Sequence, residues 1–408
     1  MSWKTLRQGQ VLKEFFPAFI IVANTLSWNT LALAIFRNTV NSLSTSQIEN
    51  IALFGVEYLA IAVSAILGSI FFPQRRKISL SIWIFFGAFM SFLLITIPNN
   101  GLAVNLMISF FFGIGIGTGL PSALAYFADM TITENRGFFG GITFFSVGFV
   151  TIPFVVISLF LNDIMNILMI SLWRIMGLIL FFFTSKHEKA YPERKSSYIN
   201  VLSKKELILY LIPWVMFCLV NYMEAPLIAN KISELYGKET YAWMGFIEVA
   251  LAGLFALVGG IIADYSGRKR AIIIGFVILG VEYAMLSLLY EIPVSWYVYI
   301  AFDSIALGMF ASVFFMTLWG DLAGNYAKEK FYTVGGLPYL LASFSSILVK
   351  PYVEIIPLGM AFSLASFFLF LAVLPLMFAP ETLPEKKLRE RELREYIEKA
   401  KKIKEKYA

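Results

Sequence analysis

Residues 259–270 read GGIIADYSGRKR. An acid and a basic triplet stand between two long apolar runs, 241–263 and 271–290, in a chain whose charged residues amount to only 15%. A short charged turn flanked by two runs of roughly 20 apolar residues is the pattern of a loop joining two helices that each cross a membrane.

The rest of the chain agrees. Hydrophobic residues make up 59% of 408 and Phe occurs 40 times, with a mean hydropathy of +0.75, well outside the composition of a water-soluble domain. The sequence predicts an all-α membrane protein with transmembrane helices over 14–36, 49–71, 78–97, 101–127, 138–161, 163–185, 206–229, 241–263, 271–290, 294–319, 331–353 and 357–379. The opening MSWKTLRQGQVLKEFF lacks a small-residue cleavage site and reads as the approach to a retained helix. If the N-terminus is cytoplasmic, all 33 Lys and Arg except Arg37, Lys231, Lys238, Lys350 and Arg174 fall in cytoplasmic segments, as the positive-inside rule requires. The expectation is a multi-pass protein of the cell membrane with both termini cytoplasmic. The net charge of +6 then faces an anionic inner leaflet, and no nucleic acid is needed to explain it.

Cys218 is the one cysteine and His187 the one histidine. That leaves no material for an intramolecular disulfide, and little for a metal site, a bound cofactor or a His-dependent nucleophile. Enzyme chemistry is not expected. His187 lies in the loop KHEKAYPERK and reads as solvated.

Sliding the chain by 192 residues lays GSIFFPQRRK (68–77) on GIIADYSGRK (260–269). The same offset pairs Asn29 with Asn221, Asp129 with Asp321 and Arg136 with Lys328. A constant offset across several spans predicts two six-helix halves in parallel repeat, with a solute site between them and alternating access by rocking. The expected organisation is a first half over 1–185, a cytoplasmic linker over 186–205, a second half over 206–380 and a charged cytoplasmic tail over 381–408.

Gly260, Asp264, Gly267, Arg268 and Lys269 carry the spacing of a loop signature: glycine, three residues, acid, two residues, glycine, two basics. On these residues the chain resembles the major facilitator superfamily over essentially its whole length. The resemblance implies that fold and a transporter. An acid at a helix end can bind a neighbouring helix N-terminus or cation, so the motif is expected to latch one face between the halves. In the first half Phe72 replaces the acid and Arg75 the glycine, which speaks against a latch there. GIGIGTGLPSALAYFADMTITENRG (113–137) resembles the sugar-porter and related metabolite branches, with Asp129 in place of their glutamate and Arg136 as their arginine; Asp321 and Lys328 repeat the arrangement. APETLPEKK (379–387) is similar to the Pro-Glu-Thr motif of sugar porters. Span seven lacks their paired glutamines, and span five lacks the Gly-Pro signature of drug antiporters.

Ionisable groups inside a membrane are costly and call for a function or a partner. Six stand within the spans: Glu57, Arg174, Glu224, Glu248, Glu282 and Asp303. Glu57 and Glu248 each head a stripe of small residues at helical spacing, Ala60, Ser64, Gly68 and Ala252, Ala256, Gly259. They are expected near the outer gate, with proton binding and a structural hydrogen bond both open. In the resembled fold spans one, four, seven and ten line the cavity, which makes Asn24, Trp28, Asn29, Tyr126, Trp214, Asn221, Glu224 and Asp303 the candidate solute residues. Asn24 and Asn29 lie about 140° apart on a helix, so they do not both face it squarely. Glu282 is expected to snorkel or pair at the periphery, and Arg174 to pair with an inward polar group.

The function expected is transport of a small polar organic solute by proton-coupled symport, with Glu224 as first proton carrier and Glu57 or Glu248 in reserve. Five acids against one Arg disfavour a doubly anionic solute. The expected partners are the solute, the proton and the bilayer, with the chain as a monomer. The alternatives are proton-driven export of amphipathic cations, in which the acids bind the cation beside aromatic walls, and a sensor on the same fold.

Overall fold

The computed structural model describes residues 3–43, 46–185, 197–353 and 355–383, with side chains from Leu12 on except that of Ala242. Most of the expected linker, His187 with it, and the tail beyond Leu383 lie outside the described residues. The described chain is built of helices joined by short turns.

Eleven helical stretches among the described residues are long and apolar enough to cross a membrane. One of them, Gln47–Asn99, has 53 residues, about 80 Å at 1.5 Å per residue and far more than one crossing needs. It turns back through a short 3₁₀ segment at Phe72–Arg75, where Pro73 has no amide hydrogen to continue the helix. It therefore counts as two, α2 (Gln47–Phe71) and α3 (Arg76–Leu93), and the chain makes the twelve expected crossings. The others are α1 (Trp3–Ser42), α4 (Leu102–Met130), α5 (Arg136–Ser158), α6 (Asp163–Thr184), α7 (Lys205–Tyr236), α8 (Lys238–Ser266), α9 (Arg268–Leu289), α10 (Pro293–Ala323), α11 (Lys328–Val353) and α12 (Leu358–Phe378). Local chemistry sets several ends. Ser46 and Glu49 form a reciprocal capping box at the start of α2, and Gly237 and Gly267 break the chain at α7–α8 and α8–α9 with φ of 86° and 104°. Within α10, residues Ala311–Thr317 form a π-helical segment.

Because lipid is as apolar as leucine, helices in a bilayer hold together by close packing more than by hydrophobic exclusion. Many Phe side chains point outward, Phe160, Phe183 and Phe378 among the most exposed, while others such as Phe36, Phe112 and Phe276 fill the interior. The stripe below Glu57 packs within the first half: a methyl group on Gly113 would touch Ala60, and one on Gly117 would meet Ser64. The stripe below Glu248 packs likewise on α10, where Gly308 closes on Ala252 and Ala256. Both stripes thus face their own half, because small residues are used wherever two backbones approach, inside a bundle as well as between bundles.

The seam between the halves is made mainly by α5 against α8 and α2 against α11. On the first of these, Gly137 and Gly260 meet backbone to backbone. A Cβ on Gly260 would lie 2.1 Å from the Gly137 carbonyl oxygen, and one on Gly137 would lie 2.5 Å from that of Gly260.

Candidate functional site

The end of the molecule that carries the basic turns is closed by charge. Asp264, at the end of α8, accepts from the amides of Gly137 (2.9 Å) and Phe138 (2.7 Å), the exposed donors of the first turn of α5. Arg268 donates to Asp264 at 2.6 Å and to Asp321 at 3.1 Å. Arg136 also pairs with Asp321, and further donates to the Ala128 carbonyl. Asp321 therefore joins a cation of its own half to one of the other half.

The same set recurs one repeat away. Asp129 receives Arg76 at 2.6 Å and Lys328, as Asp321 receives Arg268 and Arg136. The altered first-half motif makes its contact in another way. Phe72 supplies no acid, but Arg76 also pairs with Glu329 of α11, which is wholly buried. Glu329 occupies the position that Gly137 holds in the other copy. The acid stands not at the end of the helix before the turn but at the N-terminus of the facing helix, and the cation reaches it there. Sequence reasoning missed Glu329 because no motif includes it; its signal was the charge run KEK at 328–330.

The motif glycine Gly267 has two physical reasons. Its φ of 104° suits a residue without a Cβ, and a Cβ would lie 2.3 Å from the Glu381 carboxylate. Glu381, from the Pro-Glu-Thr stretch, accepts from the amides of Arg268 (2.8 Å) and Lys269 (3.1 Å) and so caps α9. Lys269 itself reaches the Met377 carbonyl. In the described part of the linker, the Tyr198 hydroxyl lies 2.5 Å from Ser69 of α2. Burial pushes the Tyr198 phenol above its ordinary pKa.

At the opposite end the seam is closed by neutral donors and one cation. Arg37 donates to Tyr58 Oη at 2.5 Å and to Ser343 Oγ at 3.1 Å, and Tyr58 and Ser343 lie 2.6 Å apart across the seam. Phe344 packs on Tyr58. Glu57 is wholly buried with both carboxyl oxygens unpartnered, and Arg37 is the one charged group acting on it. The sequence pointed to Glu57 here, but not to Arg37, Tyr58 or Ser343.

The candidate solute residues separate into two groups. Asn24 and Trp28 turn into the first half: Asn24 donates to the Trp173 carbonyl at 2.7 Å, and Trp28 donates to Ser91 at 2.9 Å. Arg174, wholly buried, donates to Asn24 and Thr25 and lies over the rings of Trp28 (4.4 Å) and Trp83 (4.5 Å). That is the inward pairing expected of it. Trp214 donates to the Gly335 carbonyl and stacks on Phe314, and Tyr126 packs edge-on against Phe181. Three of the remaining four keep polar atoms free: Asn29 Oδ1 and Glu224 Oε2 are buried without a partner, and half-buried Asn221 makes no side-chain hydrogen bond among the described residues. Near Asn221, Tyr222 meets Tyr339 at 5.0 Å. Tyr339 is 37% exposed though enclosed by Trp214, Tyr222 and Phe315, so it borders open space.

Asp303 is nearly buried and hydrogen-bonded to Glu248. The expectation that Glu282 snorkels or pairs at the periphery is corrected: it is 0% exposed and neither carboxyl oxygen has a partner. Period and position alone do not say which way a mid-span acid turns.

No family model matches the sequence, and no curated protein matches it. The solved structure of the major facilitator superfamily proton:xylose symporter XylE, bound to 6-bromo-6-deoxy-D-glucose, is similar in fold. The TM-score is 0.70 at 13% identity, over 92% of this chain and 97% of that one. The chain therefore has the twelve-helix fold of major facilitator transporters.

Proposed function

We propose that the protein is a secondary transporter that moves a small polar organic solute, sugar-like or another metabolite, across the cell membrane by alternating access and proton symport. One observation carries the reading: the seam is shut at both ends by groups from opposite halves. Arg136–Asp321, Lys328–Asp129 and Arg76–Glu329 stand at the basic end, and Arg37 with Tyr58–Ser343 at the other. Side chains of this kind form and break when halves rock, and a protein that only had to stay folded could use apolar contacts there instead. The symporter of similar fold, which carries protons and xylose by its description, supports the same class.

The solute site is proposed around Asn29, Asn221 and Glu224, with Tyr222 and Tyr339 as an aromatic wall. An amide supplies both donors and acceptors and a carboxyl supplies acceptors, which suits hydroxyl-bearing solutes. A neutral solute fits best because Arg174 is stacked between tryptophans within the first half and Arg37 already serves Tyr58 and Ser343 at the far end of the seam. Glu224 is the proton carrier in this reading.

The test is solute-dependent proton movement in proteoliposomes with a pH-sensitive dye trapped inside, for wild type and Glu224→Gln, over sugars, polyols, amino acids and amphipathic cations. Proton flow in the direction of one solute, lost in the variant, is the expected result. Flow opposed to a cation would establish an exporter instead, and solute movement without proton flow would remove the coupling.

A further inference from the structure

Three acids of the second half converge away from the proposed solute residues. Glu248 comes from α8, Glu282 from α9 and Asp303 from α10. The Ser304 hydroxyl, donating to the Glu248 carbonyl, ties α10 to α8 at this level. The carboxyls of Glu248 and Asp303 are hydrogen-bonded to each other. The charged groups acting on Glu282 are Asp303 and Glu248. Around them stand Tyr283 of α9 and Tyr299 of α10, both buried. Tyr283 also feels Glu224 of α7, and Tyr241 of α8 feels Glu248. From α12, Phe362 covers Tyr283. No Lys or Arg is among the groups that act on Glu248, Glu282 or Asp303.

Elementary bonding rules then fix the contents of this cluster. A carboxylate accepts hydrogen bonds and donates none, so two carboxyls bonded to each other need a proton between them. An ionised carboxylate out of water needs donors or a cation. Glu282, wholly enclosed and with both oxygens unpartnered, has neither, and the charged groups near it are the two acids of the pair. The three acids are near enough to act on one another, yet no three His, Cys, Asp or Glu among the described residues are arranged so that they could hold a metal ion. The remaining cation that fits is the proton.

We propose that Glu248, Asp303 and Glu282 form a proton-binding site inside the second half, with Tyr283 linking it to Glu224. Glu248 is half-buried, so it is the member through which protons enter and leave, while Glu282 is the innermost. The occupancy of the site is independent of the transport reading; its use in coupling rests on that reading.

The experiment is infrared spectroscopy of the purified full chain at neutral pH, following the C=O band of protonated carboxyl groups and its shift in D₂O. The variants are Glu248→Gln, Asp303→Asn, Glu282→Gln and, in case the amide disturbs folding, Glu282→Met, a volume-conserving apolar exchange. Glu239→Gln, at an exposed acid of the first turn of α8, is the control. Loss of intensity in each cluster variant and none in the control is expected. A band unchanged by all the cluster variants would overturn the proposal, as would sodium binding that the same substitutions abolish. The same variants in proteoliposomes are expected to retain solute exchange while proton-driven accumulation falls to the equilibrium level. Accumulation equal to wild type would overturn the coupling role. Wild-type protein that moves no solute would count against the transport reading and leave the infrared result standing.

Discussion

Arg76 in the first half reaches Glu329 in the second, and Glu329 stands where the other copy has Gly137. Besides Asp129 and Asp321, each seam thus has one further acid, in a different place in the repeat: Asp264 at the end of α8, Glu329 in the first turn of α11. A hydrogen bond to a charged group contributes about 1.5–3 kcal/mol, so Glu329→Gln should shift the equilibrium tenfold or more toward opening at the basic end. Spin labels on cysteines at Ile132 and Asn325, in a Cys218→Ser background, should report longer distances. Adding Phe72→Asp to Glu329→Gly should recover the short population by rebuilding the Asp264 arrangement. Distances in Glu329→Gln identical to wild type would show that the pair holds nothing.

The Gly137–Gly260 crossing leaves no room for a methyl group. Overpacking costs about 1–3 kcal/mol, so Gly260→Ala should lower the melting temperature in detergent. Gly245→Ala, with nothing within 4 Å of the added carbon, should not. Equal melting of the two would contradict the close approach.

At the far end, Arg37→Gln should loosen the Tyr58–Ser343 contact. A cysteine at Ser346, one turn from Ser343 on α11, should then react with a membrane-impermeant maleimide about tenfold faster, the equivalent of ~1.4 kcal/mol. Arg37→Lys should give an intermediate rate, since an ammonium lacks the planar fork that serves two oxygens at once. Unchanged reactivity in Arg37→Gln would mean that packing of Phe344 alone shuts this end.

Arg174 holds α6 to α1 and α3 through shape as much as charge. Arg174→Lys keeps the charge but gives up the stacking over Trp28 and Trp83, and should destabilise the fold by about 1–2 kcal/mol in thermal melts. A lysine variant as stable as wild type would mean that charge is all the site requires.

Much of this was legible in the sequence, for identifiable reasons. Span count follows from apolar length, and a 192-residue offset in Asn29/Asn221 and Asp129/Asp321 exposes the repeat. The latch of Asp264 was readable because its spacing is a motif. Glu329 was not, because compensation placed the charge at a register where the other copy has glycine. The destinations of Asn24 and Trp28 also escaped, since helical spacing assigns residues to a face but does not say whether that face meets the cavity or the neighbour that bears Arg174. Glu282 was misjudged for the same reason: only packing of α8, α9 and α10 reveals that its side chain turns inward.

The crossing of Gly137 and Gly260 has one more consequence, for leakage. With backbone touching backbone, the gap there is too narrow for a file of water molecules along which protons could hop. The crossing acts as a gasket as well as a bearing. In the proposed symporter, a proton denied this path rides on side chains that can be blocked one at a time, which is the condition for an ion gradient to do work on a solute and not run down beside it.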